Sequence, residues 1–112
     1  MLNYSFFEEL GLSNTQKLLK YLSLFLDTTP KYLIQLEKAE NMGDIKTFQD
    51  ILYKLKFSLS YFRSNEVNDQ LASIKGEQCL EKIRSRFPAL KNSVASLIKN
   101  VESEKQKLEN EI

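Results

Sequence analysis

Apolar residues recur along this chain at intervals of three, four and seven, the spacing that lines one face of an α-helix. Leu18, Leu22, Phe25, Leu33 and Leu36 form one such series, and Pro30 sits inside it. A proline in a helix interior removes a donor and crowds the preceding turn. The apolar face resumes in phase after Pro30, so the pattern predicts one helix over Thr15–Asn41, kinked near residues 27–29, rather than two helices. Ser13 or Asn14 can cap its start, and Asn41, Met42 and Gly43 form the turn that ends it. Asp44 then opens the stretch around which the rest is organised, DIKTFQDILYKLKFSLSYFRS, read as one helix over residues 44–64. Phe48, Ile51, Leu52, Leu55, Leu59 and Phe62 fall on its core side. Ser58 lies at the edge of that stripe, where a small residue lets a neighbour come close. Tyr53 and Phe57 lie roughly opposite, and Lys46, Gln49, Lys56 and Ser60 share their face.

Arg63, Ser64 and Asn65 carry turn and cap chemistry. Val67, Leu71 and Ile74 mark a short helix ending near Gly76, and Leu80 and Ile83 suggest a further turn or two. From Phe87 the pattern strengthens through Leu90, Val94, Leu97, Val101 and Leu108, with Pro88 placed in the first turn of a last helix, where proline is tolerated. The polar end, ESEKQKLENEI, is expected to fray or project into solvent. At the other end Ser5 and Glu8 fit a capping box for a short helix over Ser5–Leu10 closed by Gly11, though the same residues also suit an irregular arm. Neither a strand pattern nor an internal repeat is present. The fold class is an all-α antiparallel four-helix bundle, three long helices and a shorter one, with a short N-terminal helix.

Composition narrows the classes of function. The 112 residues make one domain, 1–112, and the net charge of +1 gives no reason to expect nucleic acid or an anionic membrane as a partner. Apolar runs are as short as Leu24, Phe25 and Leu26, far below the roughly 20 residues of a membrane span. The N-terminus lacks a basic region followed by a long apolar one, so no signal peptide is expected. A single cysteine, Cys79, excludes an internal disulfide, and a reducing cytoplasm is the natural location. With no histidine in the chain to activate it, Cys79 reads as a packing or surface thiol. Asp27, Glu37, Glu40, Asp44 and Asp50 are scattered, so neither a metal, a cofactor nor an enzymatic carboxylate pair is expected. Lys82, Arg84, Arg86 and Lys91 make a basic stretch that reads as a solvated face, or as a contact for an acidic partner, partly offset by the acidic tail.

The central stretch resembles the central helix of histidine phosphotransfer (HPt) domains. That family has a histidine followed at two, three and four positions by leucine, lysine and glycine. An acidic residue starts the helix, a small residue follows the glycine, and a hydrophobic residue closes the motif. Asp44, Leu55, Lys56, Ser58 and Phe62 match; LFLDTTPKYLIQLEKA resembles the family's preceding helix, so the resemblance spans at least residues 24–71. The departures fall at the active position. Tyr53 stands where the family has its phosphoacceptor histidine, and Phe57 stands where it has the glycine that leaves room for a receiver's active site. A phenol with a pKa near 10 stays protonated and nucleophilically poor at neutral pH. The resemblance therefore implies a pseudo-phosphotransfer domain that keeps the family's docking surface for a response-regulator receiver domain or a histidine kinase. The expected contact residues are Tyr53, Phe57, Lys56, Gln49, Lys46 and Ser60, with Lys56 reduced to a solvated charge. Two further readings stay open. The pair Tyr53 and Phe57 can be covered by Tyr4, Phe6 or Phe7, or the chain can be a structural or self-associating bundle, a homodimer, that keeps only the fold.

Overall fold

The computed structural model describes residues 15–60, 62 and 64–111; the side chains of Thr15, Ser60 and Glu111 lie outside the description. The short helix expected over Ser5–Leu10, and any cover supplied by Tyr4, Phe6 or Phe7, also lie outside the described residues. Four helices follow in order: α1 (Thr15–Met42), α2 (Ile45–Ser60), α3 (Asn65–Ile74) and α4 (Leu80–Glu111). No strand and no helix long and apolar enough to cross a membrane occurs among the described residues.

The helices form because their apolar stripes have somewhere to go. Leu18, Leu22, Phe25 and Leu36 of α1 are buried, as are Phe48, Ile51, Leu52, Leu55 and Leu59 of α2 and Val67, Leu71 and Ile74 of α3. Ile83, Phe87, Leu90, Val94, Leu97 and Val101 of α4 join them in one core. α1 packs against α2 and α4, and α3 packs against α4 and, over less length, α2. Aromatic rings tie these neighbours: Phe25 meets Phe62 edge-on at 4.7 Å, and Phe48 meets Phe87 at 5.3 Å.

α1 runs through Pro30 as one helix, as the in-phase stripe predicts. Nearby, the Thr28 hydroxyl donates to the Leu24 carbonyl at 3.0 Å. Its neighbour Thr29 is different: it is fully buried, and its hydroxyl has no hydrogen-bond partner among the described residues. An unpaired buried hydroxyl is a standing cost of about 1–3 kcal/mol. Thr29→Val, which keeps the shape and removes the hydroxyl, should therefore raise stability by about 1 kcal/mol in urea unfolding. A loss of stability would show that the hydroxyl is satisfied.

The turn after α1 is set by Gly43, at φ 71°, a conformation that an L side chain adopts only with strain. The amide of Gly43 donates to Glu40 O at 3.1 Å and that of Asp44 to Ala39 O at 2.9 Å, the paired bonds of a Schellman stop. Asp44 then caps α2. Its carboxylate accepts from the Thr47 amide at 3.1 Å and the Thr47 hydroxyl at 2.6 Å, and these bonds hold its pKa below the usual aspartate value.

Three expectations need correction. The central helix stops at Ser60 rather than continuing to residue 64. Ser64 has to be extended (φ −77°, ψ 115°) to accept the Val67 amide and cap α3, so the chain must leave the helix before it. Phe62, in the intervening turn, still enters the core at 2% exposure. The last helix starts at Leu80 rather than Phe87, which puts Pro88 well inside it. Gly76, at φ 74°, ends the α3 segment, and the Glu77 carboxylate accepts the Gln78 and Cys79 amides as the chain turns into α4. The buried stripe from Ile83 to Val101 is continuous across the proline, so its burial outweighs the one lost donor. Finally, the polar end does not fray but is helical through Glu111, while most of its side chains face solvent as expected. Leu108 packs against the core, and Lys105–Glu109 and Glu104–Lys107 pairs support the last turns by a few tenths of a kcal/mol each.

Candidate functional site

The outer face of α2 carries the residues singled out by sequence. Tyr53 and Phe57, one turn apart, are each 57% exposed, and their rings meet edge to face at 5.1 Å. Two aromatics held in this way cost little further entropy when a partner covers them, which is what makes exposed aromatics good anchors. Lys46 and Lys56 are exposed beside them. Ser60 follows on the same stripe of α2 by its backbone position, with its side chain outside the described residues.

Gln49 sits on that stripe but faces the body of the protein. Its amide nitrogen donates to the carbonyls of Ile74 and Glu77, both at 3.0 Å, and its amide oxygen accepts from Gly76 N at 3.0 Å. One side chain of α2 thus closes the end of α3, pairing groups that a helix end leaves free. Gln49 is half-buried and committed to the fold.

Beside the stripe, α2 and α3 bound a cleft of about 660 Å³. Leu52 and Leu71 form its apolar floor, Tyr53 and Ala72 its walls, and Lys56 and Lys75 its rim. The Lys75 amino group beside it disfavours a second positive charge and holds Lys56 below the ordinary lysine pKa. Lys56 is therefore more than an isolated solvated charge: it belongs to a pair of cations. Sequence reasoning missed the α3 half of this cleft. Asn68, Ala72 and Lys75 have the spacing of one helix face, but nothing in the sequence says which helix they meet. On the other side of α2 a smaller hollow of about 170 Å³ lies against α1, lined by Tyr21, Leu24, Thr28, Tyr32 and Ser58. Ser58 does lie at the helix contact, and Leu24 is exposed there.

The basic stretch is largely spent on intramolecular contacts. Arg84 pairs with Glu40 at 3.5 Å, Arg86 with Glu77 at 3.3 Å, and Lys91 with Glu37. These residues pin α4 to α1 and to the end of α3 more than they offer a surface to an acidic partner. Cys79 is exposed. Among the described residues no three histidine, cysteine, aspartate or glutamate side chains come together.

Fold and site together define an all-helical bundle-like protein with a solvent-facing aromatic pair on one helix and a cationic-rimmed cleft beside it. Comparison with family models, curated proteins and solved structures finds no match to the chain.

Proposed function

We propose that this chain is a phosphotransfer-incompetent, HPt-like binding module that docks a receiver domain or a histidine kinase through the exposed face of α2. In this reading it acts in the cytoplasm and is not an enzyme. The observation that carries it is the aromatic pair Tyr53–Phe57, half-exposed on α2 at the positions where the resembled family has its histidine and glycine. An antiparallel four-helix arrangement is part of the same reading. It is supported by the order of cross-helix pairs: Glu40 with Arg84 and Glu37 with Lys91 between α1 and α4, and Ser73 with Arg86 and Glu66 with Ser93 between α3 and α4. In each set one chain position rises as the other falls.

The chemistry follows from the substitution. A receiver's phospho-aspartate needs an unprotonated imidazole as its acceptor; a phenol beside a second aromatic ring offers surface in its place. Such a protein occupies a receiver or kinase without relaying phosphate. The test is capture of the host's receiver domains and histidine kinases on immobilised protein. Tyr53→Ala and Phe57→Asp should each weaken a captured partner by roughly 30-fold, the effect of losing an interface anchor. Both positions are exposed, so the thermal melt should barely move. Unchanged binding by both variants would mean that the docking face lies elsewhere, and an acid-labile phosphoprotein formed from a labelled receiver would overturn the incompetence. The same exposed pair also suits a second copy of the chain. Under that alternative, light scattering over a wide concentration range should show a dimer that Phe57→Asp dissociates.

A further inference from the structure

The cleft between α2 and α3 shares Tyr53 and Lys56 with the docking face, but its apolar floor and its second lysine, Lys75, have no part in that reading. We propose that it is a binding site for a small amphipathic carboxylate, whose apolar body lies on Leu52 and Leu71 and whose head group sits between Lys56 and Lys75. This goes beyond protein docking and concerns a different ligand class. Its size is the first support: about 660 Å³ falls within the roughly 300–1,000 Å³ of small-ligand sites, which are concave, mostly apolar and carry few polar groups. The second support is the placement of charge. Lys56 on α2 and Lys75, just past the end of α3, stand at the rim, and neither makes an ion pair with a carboxylate of the described residues. Two adjacent cations repel, and an anion between them relieves that repulsion while making two charge-assisted hydrogen bonds. The lowered pKa of Lys56 reports the same crowding.

The charge also selects the head group. Asp50 lines the cleft as well, so two lysines and one aspartate leave a single net positive charge. A carboxylate, with one negative charge, balances this lining; a phosphate monoester, which carries about −1.5 to −2 at neutral pH, overshoots it. The floor is closed by buried Leu52 and Leu71, and the exposed Ala72 leaves the α3 wall low enough for an apolar chain to enter.

The probe is decanoate, titrated below its micelle concentration into the full chain and followed by amide chemical shifts. Shifts should cluster on residues 49–56 and 68–76. Decanol, with the same chain and no charge, should bind at least about tenfold more weakly, and Lys75→Glu should weaken decanoate by at least about tenfold. Ala72→Trp, which fills the cleft from an exposed position, should block binding with the fold intact. Phe57→Ala, which removes a docking-face ring that does not line the cleft and adds no charge beside Lys56, should leave decanoate binding unchanged, so loss of docking and loss of decanoate binding are told apart. Absence of clustered shifts, decanol binding as tight as decanoate, or unchanged binding by both Lys75→Glu and Ala72→Trp would each overturn the proposal.

Discussion

Phe48→Ala should remove about 3–5 kcal/mol of folding stability, the usual cost of truncating a buried phenylalanine. Small domains are stable by only about 5–15 kcal/mol in total, so this one change should leave the protein close to unfolding. Phe48 is 1% exposed, and its ring stands edge-on to Phe87 at an interplanar angle of 87°. Its ring is thus a contact between α2 and α4, each of which packs more extensively against other helices. The loss combines three effects: less apolar area removed from water, a cavity that the surrounding core only partly collapses to fill, and a broken aromatic pair. Urea unfolding should show a midpoint lower by more than about 1 M. Phe48→Leu should lose much less, because it keeps most of the volume. A loss below about 1 kcal/mol for the alanine variant would mean that the two rings do not bridge the core.

Gln49→Ala should cost about 1–2 kcal/mol, the effect of losing a few part-buried hydrogen bonds at a helix end, although the side chain is polar. The reason is its three bonds to the end of α3. Without it, the Glu77 carbonyl and the Gly76 amide lose this partner, while the Ile74 carbonyl keeps the Glu77 amide at 3.0 Å. Gln49→Glu separates hydrogen bonding from packing. It keeps the volume and the acceptor for Gly76 but points an oxygen at two carbonyls, so it should rescue little. Hydrogen exchange at the Gly76 amide should speed up in both variants while amides in the middle of α1 stay protected. Retention of wild-type stability by Gln49→Ala would show that water replaces the side chain without cost. The effect also bears on binding experiments: a Gln49 variant that loses a partner has lost the end of α3, and says little about direct contact.

Much of the fold was legible because burial in a helix bundle repeats with the helix. Leu22, Phe48, Leu55, Leu90 and Val101 were identifiable from period alone, and all are buried. Cap chemistry read from two or three adjacent residues also placed the Gly43–Asp44 turn and Ser64. What the sequence hid depends on residues far apart in the chain. The start of α4 was misplaced because a proline suits a first turn, and only the unbroken burial from Ile83 onward shows that the helix carries it deeper inside. Arg84 and Lys91 are exposed, as a solvated stretch requires, but their pairing was hidden because Glu40 and Glu37 lie more than 40 residues away in sequence. Gln49 looked like a docking residue because its partners belong to another helix. At the site, the exposed pair Tyr53–Phe57 was visible as one helical turn of α2, whereas the cleft was not, since half of it is α3.

The helices differ greatly in length: 28 and 32 residues in α1 and α4, against 16 and 10 in α2 and α3. At about 1.5 Å per residue, α4 alone accounts for nearly the whole 47 Å long axis. An isolated helix of ten residues is marginal in water, so α3 depends on the burial of Val67, Leu71 and Ile74, the Ser64 cap, the bonds from Arg86 and Ser93, and the clasp from Gln49. The native state is thus unevenly cooperative. With the fewest residues of the four helices, α3 is the segment expected to detach first while the longer helices stay folded. Each such excursion removes one wall of the cleft, so occupancy of the cleft and order of α3 are two readings of a single equilibrium.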